Sequence, residues 1–256
     1  MLKLISHVHA PYSTDGWHNP DSILKYAVKK DVVVELLAHN NFVWTRLHPE
    51  VFKSEHIIPA VEFGLKDTDV VVAGHNLDEL ARDKRFPLFD HRVKRMLDVS
   101  LEEALDILRK IGVEYIYSPH STFIGGAAKN GYKKLLPKFD AIEVFNGSIS
   151  FFPPYNWKAL SLAEKLHKTK IAGADTHLGI TALDSCYNLV DAISKEEIYE
   201  TIRKGKVKPH ISSLYPIQLA RDYVVLTYLA IRDILNSKLK ISVSDFTALT
   251  KQLYSV

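Results

Sequence analysis

The chain has 256 residues, of which 46% are hydrophobic and 25% are charged, with a formal net charge of +3 and a single cysteine. This length fits one large α/β domain or two small ones, and the hydrophobic fraction is ample for a packed core. The small net charge gives no reason by itself to expect a nucleic-acid or membrane partner, and one cysteine excludes an internal disulfide framework.

Seven short apolar runs have the length and composition of strands buried in a parallel sheet. In chain order they are Leu2–His7, Val32–Ala38, Ile57–Glu62, Val70–Gly74, Glu114–Pro119, Ala141–Phe145 and Ile171–Ala174. Helical patterns lie between several of them, at Asp21–Lys30, Leu101–Ile111 and Trp157–Lys168. The alternation predicts an α/β fold, a parallel (β/α) barrel rather than an open sheet.

After the seventh strand the pattern becomes helical, at Lys195–Lys204, Ile217–Asn236 and Ser244–Leu253, with no strand of comparable strength between them. We predict a barrel over residues 1–190 and a helical C-terminal extension over 191–256 that packs on it. The segment Leu219–Leu235 is apolar nearly all round, which favours burial against the barrel or in a dimer interface. Its four charged residues argue against a membrane span, and the apolar N-terminus is too short for a signal peptide. A cytoplasmic protein is therefore expected.

Histidine and acidic residues recur where the predicted strands end, which is where parallel βα folds gather their reactive groups. His7 and His9 lie two apart on the first strand, so their rings leave the same face. Further along the chain come Asp15, His39, Glu62, His75, His120, Asp175 and His177. Nine such ligands exceed the need of one ion, so two or three divalent ions are expected. Imidazoles and carboxylates without a thiolate suit Zn, Mn or Fe in a hydrolytic site.

The same residues carry a resemblance to a known family. The series is His7-Val-His9, Ser13-Thr-Asp15-Gly16, His39-Asn40, Glu62, His75, Ser118-Pro-His120, Glu143-Val-Phe-Asn146 and Ala174-Asp175-Thr-His177. It resembles the PHP (polymerase and histidinol phosphatase) family over most of the chain. The resemblance implies a distorted (β/α)7 barrel and a metal-dependent phosphoesterase, usually with three metals. By that resemblance, His7, His9, Glu62 and Asp175 would hold one ion, Asp15, His39 and His177 a second, and Glu62, His75 and His120 a third.

Two positions depart from the family pattern. Ile5 and Ser6 stand where the family usually has Asp and Leu before the first histidine pair, and Ala38 stands where it usually has Asp before His39. The missing acids fit the role of partners that orient imidazoles. Their replacement puts metal affinity and substrate preference in question more than the ligand set itself.

The predicted activity is hydrolysis of a small phosphorylated metabolite or nucleotide by a metal-bridging hydroxide. Three residues are predicted to be catalytic: Glu62 as the bridging carboxylate, Asp175 as the proton shuttle and Arg46 as the phosphate contact. Two alternatives stay open. One is a multi-metal hydrolase of an amide or lactone, and the other is a non-catalytic, metal-stabilised module of a nucleic-acid-processing assembly.

Two further segments could contact a partner. Lys129, Lys133, Lys134 and Lys138 could follow a nucleic-acid backbone, but we interpret them as a solvated helix face, so a nucleic-acid partner is not favoured. The aromatic segment 151–155 could line the pocket or close the barrel edge. The C-terminal helices could form an oligomer interface.

Overall fold

A computed structural model describes residues 1–13, 16, 18–89, 97–123, 125–149, 153–177, 183–212, 220 and 224. The strands are β1 (Leu2–His9), β2 (Val33–Leu37), β3 (Ile57–Gly64), β4 (Asp69–Ala73), β5 (Tyr115–Ser118), β6 (Ala141–Asn146), β7 (Thr169–Thr176), β8 (Cys186–Val190) and β9 (Val207–Ile211). The helices are α1 (Pro20–Lys30), α2 (Trp44–Leu47), α3 (Pro49–Lys53), α4 (Leu101–Ile111), α5 (Pro153–Lys165) and α6 (Lys195–Arg203), with 3₁₀ segments at His75–Arg82, Tyr132–Lys134 and Leu136–Lys138. All seven predicted strands are present.

Strands β1 to β7 form a closed, mixed barrel. β1 pairs in parallel with β2 on one side and with β7 on the other, and the order β2-β3-β4-β5-β6-β7 completes the ring. The first residues of β1 also pair antiparallel with β8, which in turn pairs with β9. The predicted distorted α/β barrel is confirmed, and β8 and β9 extend the sheet outside the ring.

One strand of the barrel runs the opposite way from the others. β4 is antiparallel to both β3 and β5, which corrects the expectation of an all-parallel barrel. The reason is the four-residue connection 65–68, closed by a hydrogen bond from the Leu65 amide to the Thr68 carbonyl at 2.9 Å. A parallel crossover needs about a dozen residues, so this connection allows only a hairpin.

The helix boundaries follow from local capping. α4 begins after Ser100, whose side chain accepts a hydrogen bond from the Glu103 amide, and it ends at Gly112 in the left-handed conformation. α1 begins after Asn19, whose side chain accepts from the Asp21 amide, and Pro20 occupies its first turn. These signals are readable in the sequence, which is why the predicted bounds of both helices agree with the structure.

The barrel interior is apolar at one end and polar at the other. Side chains two apart on a strand share a face, so Ile58, Ala60 and Glu62 of β3 point the same way. Ile58 and Ala60 belong to an interior apolar cluster that also contains Ile198 and Ile202 of α6. α6 therefore packs at the apolar end, and the polar end, marked by Glu62, is left for chemistry.

The predicted C-terminal extension is only partly described. α6 confirms the predicted helix at Lys195–Lys204, but β9 follows it, where no strand of comparable strength was predicted between the C-terminal helices. β8 and β9 pair across the predicted boundary at residue 190. The predicted helices Ile217–Asn236 and Ser244–Leu253 lie outside the described ranges, apart from residues 220 and 224. Each helix in the described part of the chain is too short or too polar to cross a bilayer.

Candidate metal centre

The two histidines of β1 enter the barrel through an irregular stretch of strand. The register of β1 shifts between Ile5 and Val8 against β2, and His7 has a φ of 62°. The distortion brings the rings of His7 and His9 to 5.1 Å between centroids, and both residues are fully buried. Asn40, His120 and Asp175 also have positive φ values. Strained non-glycine residues of this kind collect at functional sites, because the surrounding structure has to hold them.

Among the described residues, seven side chains form three overlapping groups that could each hold a metal ion. The groups are His7, His9 and Asp175; His9, His39 and Glu62; and Glu62, Asp69 and His120. Within each group, one candidate ligand atom per residue lies within 4.8 Å of the others. Six of the nine residues predicted from the sequence are among these seven.

Glu62 is the centre of the arrangement. Its Oε2 lies 3.3 Å from His7 Nε2, 3.3 Å from His9 Nε2 and 3.1 Å from His39 Nε2. Its Oε1 lies 3.2 Å from His120 Nε2. A carboxylate whose two oxygens face four imidazoles from three other strands and loops has the geometry of a bridging ligand.

Asp175 faces the same histidines from β7. Its Oδ1 lies 3.5 Å from His7 Nε2 and 3.4 Å from His9 Nε2. Its Oδ2 accepts a hydrogen bond from Asn146 Nδ2 at 2.9 Å, which fixes the orientation of the carboxylate. The other predicted residue from this segment, His177, stacks on His9 with ring centroids 4.0 Å apart. Its Nδ1 lies 3.7 Å from Asp175 Oδ1, so His177 lies at the edge of the groups rather than within one.

The structure does not bring His75 to the centre, which corrects that part of the predicted ligand set. Because β4 is antiparallel to its neighbours, its carboxyl end and His75 lie at the end of the barrel where α6 packs. Burial and the Lys195 ammonium of α6 lower the pKa of His75, and its ring contacts Phe52 at 5.3 Å between centroids. The first residue of β4, Asp69, takes the place near the centre, with Oδ2 3.8 Å from His120 Nε2.

Two predicted residues remain to be located. Asp15 lies outside the described residues. Arg46 lies in α2, exposed, with its guanidinium carbon 3.2 Å from the centroid of the Phe89 ring. This contact ties the arginine to a neighbouring loop, and its role toward phosphate stays a proposal.

Glu143 of β6 forms hydrogen bonds to two histidines of the centre. Its Oε1 accepts from His7 Nδ1 at 2.9 Å, and its Oε2 accepts from the His120 amide at 2.6 Å and from Asn146 Nδ2 at 2.8 Å. A Cβ at Gly173 would lie 1.7 Å from Glu143 Oε1, so only glycine leaves room for this carboxylate. Glu143 therefore orients His7, the role expected for the acids that Ile5 and Ala38 replace.

Two more polar residues hold the histidines in place. Ser13 Oγ lies 2.9 Å from His9 Nδ1 and accepts from the His39 amide at 3.0 Å. Glu35 is buried in the barrel, where it accepts from the His7 amide at 3.2 Å and from the Tyr117 hydroxyl at 2.7 Å. Glu35 and Asp69 are the polar residues of this region that sequence reasoning missed. The two-residue period of β2, which places Glu35 and Leu37 on one face, was the available signal for Glu35.

The groups of the centre differ in the protonation state that their surroundings favour. Burial opposes ionisation of Glu62, but His7 and His39 hold its pKa well below the ordinary value. Burial and the neighbouring His177 and His39 lower the pKa of His9 to about 3. Glu62 and His9 therefore have the forms that metals require, an ionised carboxylate and a neutral imidazole. Burial opposes protonation of His7 and His120, but the surrounding carboxylates hold the pKa of His7 well above its ordinary value and raise the pKa of His120 to about 9. Metal binding at those two imidazoles would release protons.

The donor atoms also fit divalent ions on geometric grounds. His9 Nε2 and His120 Nδ1 are buried and have no hydrogen-bond partner among the described residues. Buried polar atoms are nearly always paired. His9 Nε2 faces the carboxylates of Glu62 and Asp175 without hydrogen-bond geometry to either, so it marks room for another group. With only nitrogen and oxygen donors, this set suits Zn, Mn or Fe.

Comparisons with known proteins agree with the fold and the motif series. Residues 153–207 match the family model for a PHP-associated segment. No curated protein matches the chain. This match covers 55 of the 256 residues and includes α5, β7 and α6.

Solved structures share the barrel. The chain is similar to PsfC from Pseudomonas syringae, with 16% identity, a TM-score of 0.61 and coverage of 89% of this chain and 98% of that one. It is also similar to an amidohydrolase from Chromobacterium violaceum, with 14% identity, a TM-score of 0.50 and coverage of 70% and 89%. A provisionally assigned metal-dependent phosphoesterase from Bifidobacterium adolescentis aligns with 12% identity, a TM-score of 0.49 and coverage of 68% and 87%. At these identities the likeness concerns the fold.

Proposed function

We propose that this protein is a metal-dependent phosphoesterase of the PHP family. The observation that carries the proposal is the Glu62 carboxylate, contacted by four imidazoles and shared between two of the three candidate ion groups. The proposed ligands are His7, His9, His39, Glu62, Asp69, His120 and Asp175. Asp15 and His177 are kept as further proposed ligands.

Bound divalent ions would supply Lewis acidity and lower the pKa of a water molecule in the centre. The remaining roles, orientation, proton transfer and phosphate binding, belong to side chains of the protein. Glu143 and Asn146 hold His7 and Asp175 in fixed orientations, so little reorganisation is needed when a phosphate arrives. Asp175 Oδ1 faces the centre between His7 and His9, which makes it the proposed acceptor of the proton from the attacking water. Arg46 is the proposed cation for the phosphate oxygens.

The experiment is hydrolysis of an aryl phosphate by the metal-loaded protein, compared with Glu62→Gln and Asp175→Asn. Both variants keep the shape of the side chain and remove the charge. We expect each to reduce kcat/KM by more than about 100-fold, since even changes outside the ligand shell cost 10- to 100-fold in metal sites. Glu200→Gln, on the exposed side of α6, is the matched control and should keep full activity.

Because the chain is similar to an amidohydrolase, hydrolysis of an amide or a lactone is the second activity to test. The same variants should be assayed against an aryl amide and a lactone of similar size. Turnover of the amide or lactone faster than of the phosphate ester, lost in Glu62→Gln, would replace the phosphoesterase assignment. Bound metal without turnover of any of the three substrates would favour the non-catalytic alternative.

A further inference from the structure

A basic groove lies beside the barrel, apart from the metal centre. It has a volume of about 670 Å³ and lies between α5 and a stretch of chain that includes Lys129 and the 3₁₀ segment at Tyr132–Lys134. Four lysines line it: Lys129 and Lys133 from the loop side, and Lys158 and Lys165 from α5. No carboxylate is among its lining residues. Two separate segments therefore bring like charges to one concave surface.

The charges of this groove are not neutralised within the described part of the chain. The four lysines form no ion pair there, whereas nearby acidic residues are already engaged. Glu164 of α5 lies 3.5 Å from the Lys170 ammonium, and Asp67 accepts from the Tyr132 hydroxyl at 2.7 Å. Four ammonium groups on one concave surface repel one another, and an anion placed among them relieves that repulsion.

An exposed aromatic residue accompanies the lysines. Trp157 of α5 lines the groove and is 68% exposed, although indole rings are usually well covered. A solvated helix face accounts for the lysines alone, but it gives no reason for a large apolar ring among them. An open aromatic ring next to cationic groups is the arrangement on which single-stranded nucleic acids stack their bases.

One lining residue of the groove is near a residue of the metal centre. Thr122 lines the groove and donates a hydrogen bond from its hydroxyl to the Tyr155 carbonyl at 2.7 Å, which ties α5 to this wall. Thr122 follows His120 by two residues, so the two Cα atoms are at most about 7 Å apart. The groove and the candidate metal centre therefore share one stretch of backbone, residues 120–122.

We propose that this groove binds single-stranded nucleic acid, with backbone phosphates on the four lysines and one base stacked on Trp157. The proposed binding does not depend on the phosphoesterase activity, whereas hydrolysis of the bound strand rests on the function proposed above. In that step the oxygen of water bonds to phosphorus and the P–O ester bond breaks. The proton released by the water passes to the departing oxygen, which leaves as a hydroxyl group. The inference changes the interpretation of the Lys129–Lys138 stretch as a plain solvated face.

The binding experiment uses the full-length protein, with and without divalent metal, and a fluorescent oligothymidylate of about 12 nucleotides. Anisotropy gives the affinity at several salt concentrations. The double variant Lys158→Glu, Lys165→Glu should lower the affinity at least about tenfold and flatten the salt dependence, because two phosphate contacts are lost. The matched control is Lys25→Glu, Lys29→Glu, which makes the same charge change on the exposed face of α1.

The stacking contribution is tested separately. Trp157→Ala should weaken oligothymidylate binding about 5- to 150-fold, and Trp157→Phe should restore most of it. Neither change should affect the binding of inorganic polyphosphate, which has charge but no bases. Thermal unfolding of every variant checks that the fold is intact.

Several results would overturn the proposal. They are the absence of binding at low salt, equal losses in the α5 and α1 double variants, or a preference for duplex DNA or for an acidic polypeptide over the single strand. The assay without divalent metal separates the two proposals, since the groove should bind the oligonucleotide whether or not the metal centre is loaded. If the wild type binds the strand through the groove but never hydrolyses a phosphate ester, the proposed function fails and the groove assignment stands.

Discussion

At the residue scale, the histidine and acid positions along the sequence are informative because of their order, not their chemistry alone. Six predicted residues, His7, His9, His39, Glu62, His120 and Asp175, converge within one centre. Each lies in the carboxyl-terminal part of a buried strand or just after it, and these strand ends face the same rim, which is why a one-dimensional pattern was sufficient. Their role as metal ligands remains a proposal that metal analysis would test.

Asp69 lies in the centre where His75 was expected, and this difference can be tested at both residues. Asp69→Ala should lose about one bound ion per chain and lower kcat/KM by more than about tenfold, because the group with Glu62 and His120 loses a donor. His75→Ala should keep the metal content and an activity within about twofold of the wild type, since its surroundings are Phe52 and Lys195.

Elemental analysis of the dialysed variants, alongside their kinetics, provides the measurement. Loss of an ion in His75→Ala, with Asp69→Ala fully loaded, would mean that β4 has the opposite direction in solution.

At the element scale, the direction of β4 and the β8–β9 pair are what the sequence pattern did not reveal. An apolar run of five residues has no intrinsic direction, and the length of connection 65–68 decides it through the hairpin. β9 was missed because its burial is partial and it contains Pro209, both typical of an edge strand. Capping residues, by contrast, act locally, so α1 and α4 were predictable from Asn19, Ser100 and their neighbours.

The packing of β8 predicts the behaviour of the single cysteine. Cys186 is buried in the core between Ser185 and Tyr187, and burial raises the pKa of its thiol to about 12. An ordinary thiol has a pKa of about 8.5, so the folded state disfavours the thiolate. The corresponding stability is complete below about pH 8.5 and is lost as the pH rises toward 12.

Labelling with Ellman's reagent tests this. We expect almost no reaction of the native protein at pH 8 and one equivalent after unfolding in guanidinium chloride. Ser161→Cys in a Cys186→Ala background places a thiol on the exposed side of α5 and should react at once without denaturant. Rapid labelling of native Cys186 would show that β8 is not packed as described.

At the scale of the whole molecule, the barrel combines an apolar core with a concentrated charge cluster at one end. Glu62, Glu143 and Asp175 are all buried within a few ångströms of one another. Buried carboxylates cost free energy unless they are paired, and here their partners are imidazoles that also repel one another. The same cluster that prepares the site for cations therefore weakens the metal-free fold.

Metal binding should consequently stabilise the entire barrel. A free metal concentration of about 100 times Kd adds about 2.7 kcal/mol to the free energy of unfolding for one site. For a chain of this size that corresponds to an increase in Tm of about 5–10 °C. Differential scanning fluorimetry with Zn or Mn, before and after chelation, measures it. Glu62→Gln should show a clearly smaller increase, and an unchanged Tm in the wild type would contradict metal binding at this centre.

The sequence by itself determined the number of barrel strands, the rim where polar residues gather and most of the candidate ligands. These features depend on strand periodicity, capping and residue chemistry, which act over a few neighbouring positions. Only the tertiary structure decided the direction of β4, the substitution of Asp69 for His75 and the support of His7 by Glu143. Those depend on which strands pair and on atoms brought together from residues 136 positions apart in the chain. The basic groove also depends on the tertiary structure, because its four lysines come together only when α5 packs beside the loop. They are Lys129, Lys133, Lys158 and Lys165.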